Sequence, residues 1–147
     1  DARIFSIYEG TTQLQVVAAI RYITNGTCLA IIKEMLENAV APELQALKER
    51  VVPMVAKLEG AIETVKAADN QCVLDFLARR LYEMTADIIM SLLILDDATR
   101  APELFTKSAN VYVRHAEAEV EGHFGFIKNF RPEDIEYYIA QQKAAEE

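Results

Sequence analysis

The side chain best placed for chemistry near the start of the sequence is the carboxylate of Glu9, set between Tyr8 and Gly10 and just ahead of a helix-like segment. Ile4, Phe5, Ile7 and Tyr8 give it apolar company. A carboxylate in such surroundings is partly desolvated, which raises its pKa and makes it a stronger base once ionised. Gly10 leaves room for a ligand to approach the backbone. The amides at the following helix start suit a phosphate or another anion. The plainer reading is a turn before a helix, with Glu9 set against the helix dipole, and the residues alone favour it.

A second constellation is His115, Glu119 and His123, spaced i, i+4, i+8 on one helix face. A metal site needs three or four convergent ligands. A di-iron bundle would need Glu three residues before His123, where Val120 stands. We therefore expect no metal, and polar residues on a solvated face or at a packing edge. Glu117, Glu119 and Glu121 likewise read as a solvated face. Neither histidine has a nucleophile beside it, because Ser91, Ser108, Cys28 and Cys72 fall on unrelated turns. The two cysteines lie far apart with no zinc spacing, and read as reduced, buried thiols of a cytoplasmic protein.

The elements that would position these groups are punctuated clearly. Thr11 or Thr12 caps a helix to about Ile23, which Asn25-Gly26 stops in the left-handed region. A shorter helix follows from Thr27 to about Asn38. Pro42 opens a long helix to about Ala68, with Leu44, Leu47, Val51, Val55, Leu58, Ile62 and Val65 three or four apart. The pattern keeps its phase across Pro53, which predicts a kink rather than a break. Asp69-Asn70 caps the next helix. Its second half, Ile88 to Leu95, is apolar nearly all round, which predicts the central and most buried helix. Pro102 opens a third long helix, weakened near its end by Gly122 and Gly125, and Pro132 starts a final short one. Asp96-Asp97 is placed to pair with Arg100. Phe124, Phe126 and Phe130, with Tyr137, Tyr138 and Ile139, form an aromatic group that closes one end of the bundle or contacts a partner subunit, closure being the favoured reading. Three helices of roughly 40 Å at 1.5 Å per residue, joined by short connections, must run antiparallel. The expected fold is all-α, an up-and-down antiparallel helical bundle of three long helices plus shorter ones.

Composition narrows the partners. With 15 Lys and Arg against 23 Asp and Glu, a net charge of −8 leaves no basic stripe for a phosphate backbone, so nucleic acid is not expected. The opening residues have no basic and apolar regions of a signal peptide, and the run from Ile88 to Leu95 is far too short to span a bilayer. No transmembrane segment is expected.

Asp1-Ala2-Arg3-Ile4, Ile7-Tyr8-Glu9-Gly10-Thr11 and Gln13-Leu14-Gln15, in that order, strongly resemble the flavin-dependent acyl-CoA dehydrogenases, in which such a segment lies near the end of the final helical domain. The resemblance implies that Glu9 is the base removing the α-proton of an acyl-CoA thioester while a β-hydride leaves for FAD. It implies that Gly10 touches substrate, that Thr11, Thr12 and Gln13 contact FAD, and that Tyr8 packs beside the base. It further implies trans-2-enoyl-CoA as product, an electron-transferring flavoprotein or similar acceptor, and a homo-oligomer. Many members carry Arg where this chain has Val16, which puts a helix-surface contact in doubt but not the chemistry. The sequence runs on for more than a hundred residues. In this it is similar, by position and helical character, to the very-long-chain type and related bacterial enzymes with an additional carboxy-terminal helical domain. Residues 1–26 then read as a docking segment that ends the dehydrogenase's helical domain, and 27–147 as an accessory bundle. Such a fragment is expected to be inactive by itself and not to retain FAD. The rival reading is a non-catalytic helical oligomerisation or interaction domain.

Overall fold

The structure, a computed structural model, describes residues 12–136 and 140–141, with only the backbone given for Thr12 and Gln13. Its first helix, α1 (Thr12–Thr24), turns its Val16 and Ile23 inward, with Ala19 and Ile20 beside them. The chain leaves it through Gly26 at φ 90°, and the Asn25 side-chain oxygen accepts the Thr27 amide at 2.9 Å. The next helix, α2 (Thr27–Glu37), sets off at 73° to α1. Gly26 supplies the positive φ expected of it.

A 3-10 turn at Pro42–Leu44 leads into α3 (Gln45–Ala67), which stays helical across Pro53. Pro53 is exposed, so the carbonyl it orphans one turn earlier lies on the solvent side. The helix α4 (Gln71–Arg100) starts under Asn70, whose side chain accepts from the amides of Cys72 and Val73. One residue, Ala101, separates it from α5 (Pro102–Asn129), which has Pro at its first turn. A 3-10 turn, Pro132–Ile135, follows and buries Ile135. By their lengths α3, α4 and α5 span about 35, 45 and 42 Å at 1.5 Å per residue. The joints between them are too short for anything but antiparallel neighbours. Among the described residues there are five α-helices and no strand, and the architecture is the expected antiparallel bundle.

The core is one continuous cluster. Leu58 and Val51 of α3, Leu81, Met84 and Ile88 of α4, and Val113 and Val120 of α5 are fully buried. Ala109 and Ala116, also fully buried, let α5 approach its neighbours closely. The two buried hydroxyls bond their own helix: Thr85 Oγ1 donates to the Leu81 carbonyl and Ser91 Oγ to that of Asp87, each at 2.7 Å. α1 packs on α4, and α2 rests on both α3 and α4.

Four expectations change. α4 does touch every other helix, but its second half is not buried all round: Met90 is 49 % and Leu93 44 % exposed. Its neighbours cover one side only, and an uninterrupted apolar run gives no phase from which to read the outer face. Val16, where a helix-surface contact was in doubt, is completely buried, so the position makes no such surface contact here. The cysteines are half-buried rather than buried. Finally, Glu117 and Glu121 do not simply face water, since they pair with Arg50 and Lys57 of α3.

Candidate functional site

The segment Asp1 to Gln15 meets the described chain only at its end. Glu9, Gly10 and Thr11, and with them Tyr8, lie outside the described residues. Thr12 and Gln13 form the first turn of α1, and their side chains also lie outside the description. That turn leaves backbone N–H groups without intrahelical acceptors, the arrangement that accommodates an anionic oxygen. Of the residues the resemblance assigns to FAD, the described chain includes the backbone of Thr12 and Gln13. α1 itself is two-sided. Val16 and Ile23 are seated on α4's side, whereas Leu14 and Val17 are 62 % and 57 % exposed.

The polar residues of α5 are divided between its two neighbours. Toward α4, Tyr112 Oη donates to Asp87 Oδ1 at 3.0 Å. Further along, His123 Nε2 lies 3.1 Å from Glu83 Oε2, and Glu83 also accepts from Arg79 Nε at 2.8 Å. Burial pushes the Asp87 carboxyl above its ordinary range, opposed by the bond from Tyr112 and by the nearby histidines. Burial, then the bond to Asp87, pushes the Tyr112 phenol up to about 12. His115 lies edge-on to the Tyr112 ring, 6.4 Å between centroids. The i, i+4, i+8 face therefore does not converge: His123 is taken by Glu83 and His115 by Tyr112. Among the described residues no three His, Cys, Asp or Glu side chains could hold a metal ion together.

The expected pairing of Arg100 with Asp96 is present at 2.7 Å. The aromatic group forms in part. Phe130 stacks on Phe76 at 5.4 Å and on Phe126 at 6.2 Å, with the Arg80 guanidinium 3.7 Å above the Phe126 ring. Tyr137, Tyr138 and Ile139 lie outside the described residues. Phe76 and Arg80, on a different helix from the phenylalanines at 124–130, were not legible as members of this group.

Sequence reading also missed a cleft of 640 Å³ between the ends of α1 and α3 and the start of α4. Its lining comes from two separate stretches of sequence, 21–25 and 65–74, and nothing in either signals the meeting.

No helix among the described residues is by itself long and apolar enough to cross a membrane. Comparison with known proteins then places the chain. The family model "Acyl-CoA dehydrogenase C terminal" matches residues 24–135. The solved structure of an acyl-CoA dehydrogenase family protein from Porphyromonas gingivalis is similar at 41 % sequence identity and a TM-score of 0.73. The match covers 78 % of this chain and 99 % of that one, so the solved chain corresponds almost entirely to the bundle described above. No curated protein matches the sequence. A family match over most of the length, joined to a bundle of the same fold and high identity, makes this chain a member of the acyl-CoA dehydrogenase family, carrying that family's carboxy-terminal helical domain.

Proposed function

We propose that the chain is the carboxy-terminal part of an FAD-dependent enzyme that converts acyl-CoA thioesters to trans-2-enoyl-CoA, with Glu9 as the base. The observation that carries this reading is the coincidence of two independent features. The base-like segment around Glu9 leads directly into α1, and the bundle onto which α1 packs is the family's own carboxy-terminal domain. Glu9 takes the α-proton. In this reading its backbone N–H helps polarise the thioester carbonyl, which lets a carboxylate remove so weakly acidic a proton, and Gly10 touches substrate. FAD, when bound, supplies the hydride acceptor, and Thr11, Thr12 and Gln13 contribute part of its contacts.

Residues 1–26 belong in this reading to the dehydrogenase's helical domain and 27–147 to an accessory bundle that serves subunit contact or covers the acyl site. The fragment alone is inactive. The intact protein is a cytoplasmic homo-oligomer that passes its electrons to an electron-transferring flavoprotein or a similar acceptor.

The test is Glu9→Gln in the full-length protein, assayed for enoyl-CoA formation with an artificial electron acceptor. Loss of a general base predicts a fall in kcat of about 10²- to 10⁴-fold. Unchanged turnover would remove Glu9 from the mechanism and favour the rival, a helical interaction domain without chemistry.

A further inference from the structure

The 640 Å³ cleft at one end of the bundle has a consistent chemistry. Its floor is apolar, formed by Val65 and Leu74, and its rim is polar. Arg21 and Lys66 line it, and neither side chain has a hydrogen bond or ion pair with any described residue. Three carboxamides line it as well. The Asn25 oxygen is already taken by the Thr27 amide, and the Asn70 oxygen by those of Cys72 and Val73, which leaves each of these two its NH₂ group. Gln71 is the reverse: its Nε2 donates to Asp75 Oδ1 at 2.7 Å and its oxygen remains as an acceptor. Asp69 is the one anionic side chain in the lining.

Two cations and the NH₂ groups of Asn25 and Asn70 therefore border one cleft in a protein of net charge −8, against one carboxylate, Asp69, and the Gln71 oxygen. Helix dipoles account for cations near the ends of α1 and α3. Turn and cap bonding accounts for the orientation of the Asn25 and Asn70 oxygens, and it leaves their NH₂ groups beside those cations. The complement of such a surface is a group with several anionic oxygens. The volume is that of a small-molecule site rather than of a lone inorganic ion. The apolar floor suits the flat face of a base.

We propose that this cleft binds a phosphorylated nucleoside, with Arg21, Lys66 and the Asn25 and Asn70 NH₂ groups on the phosphate oxygens and Val65 and Leu74 under the base. Two sources share this chemistry, the nucleotide end of a coenzyme A thioester and a free nucleotide. The first rests on the dehydrogenase reading above; the cleft itself does not.

The experiment is an amide NMR titration of the 147-residue chain with coenzyme A, adenosine 3′,5′-bisphosphate, ADP, pantetheine and inorganic phosphate. Coenzyme A and the bisphosphate are expected to shift the amides of residues 21, 24–26, 66 and 69–74, and pantetheine to leave them in place. A preference for these two over ADP assigns the source to coenzyme A; equal binding of ADP assigns it to free nucleotide. The double variant Arg21→Gln/Lys66→Gln should weaken binding at least about tenfold. Lys107→Gln, remote from the cleft, should not. Both replaced side chains in the double variant are exposed, and an unchanged unfolding midpoint shows that it still folds. The proposal is overturned if the nucleotides move none of these amides, if pantetheine moves them as strongly, if inorganic phosphate binds as tightly as the nucleotides, or if the double variant binds unchanged. Because binding is read without turnover, the result is independent of whether Glu9 is the base.

Discussion

On its two flanks α5 meets its neighbours with similar side chains in different settings. Toward α3 the contacts are ion pairs, Arg50 with Glu117 and Lys57 with Glu121. Each of these four side chains is between 30 % and 61 % exposed, so water screens them. Such pairs are worth about 0.2–1 kcal/mol and guide register more than they hold the bundle together. Toward α4 a phenol meets a carboxylate and a histidine meets a glutamate, all half-buried. There desolvation shifts both Asp87 and Tyr112 in the direction of their neutral forms. The Tyr112–Asp87 contact is therefore the one expected to respond to pH, whereas the α3 pairs are expected to respond to salt. Beneath both flanks lies the same apolar seam, which carries most of the stability.

This ordering can be broken at each level. The largest effect should come from the seam. Leu81→Ala, at a fully buried position, is expected to cost about 2–5 kcal/mol in denaturant unfolding. A cost near that of a surface pair would mean the helices collapse around the gap. Next, Tyr112→Phe should cost about 0.5–1.5 kcal/mol at neutral pH. The phenol's raised pKa means that its contribution is complete below about pH 10 and lost as pH rises through about 12. The variant should therefore lose less stability than the parent over that window, as read from unfolding midpoints.

A smaller effect, of opposite sign, is expected from Asp87→Asn. A carboxyl whose pKa is raised on folding favours its protonated form there. Its contribution is present at low pH and lost as pH rises from the ordinary Asp range through the raised value. At pH 7 the ionised group is a burden, so the amide should raise the melting temperature slightly, by about 2 °C or less, and flatten the acid limb of the stability profile. A clear fall in melting temperature would show that the bond from Tyr112 outweighs desolvation. The smallest change belongs to the α3 flank. Lys57→Gln should cost under about 0.5 kcal/mol, and the difference should fade in about 0.5 M salt.

Most of the bundle was legible from apolar spacing together with a few stop and start residues. Gly26, Pro42, Asn70 and Pro102 mark real boundaries, and the three- and four-residue spacing of α3 and α5 names their buried faces. Pro53 was readable as tolerated because the apolar phase continues across it. What escaped was information held between helices. The partners of Glu117 and Glu121 lie more than sixty residues away on α3, at a register that only packing sets. The outer face of α4 at Met90 and Leu93 was hidden by a run in which every position looks like core. The cleft bordered by Arg21 and Lys66 needs two distant stretches, 21–25 and 65–74, to meet. The candidate base was legible only through its resemblance to a known family, since the residues alone describe a turn before a helix.

The corner between α1 and α2 has a consequence for what position 26 can carry. A Cβ placed on Gly26 would meet nothing within 4 Å, so the site has ample room; the obstacle to a side chain is torsional, since φ is +90°. Chirality, not bulk, is what position 26 selects. An L-alanine there would strain the bend, whereas its mirror image, introduced by chemical ligation, should be accepted without disturbing any neighbour. The pair of mirror-image variants would thereby separate the torsional demand of the corner from its demand for space.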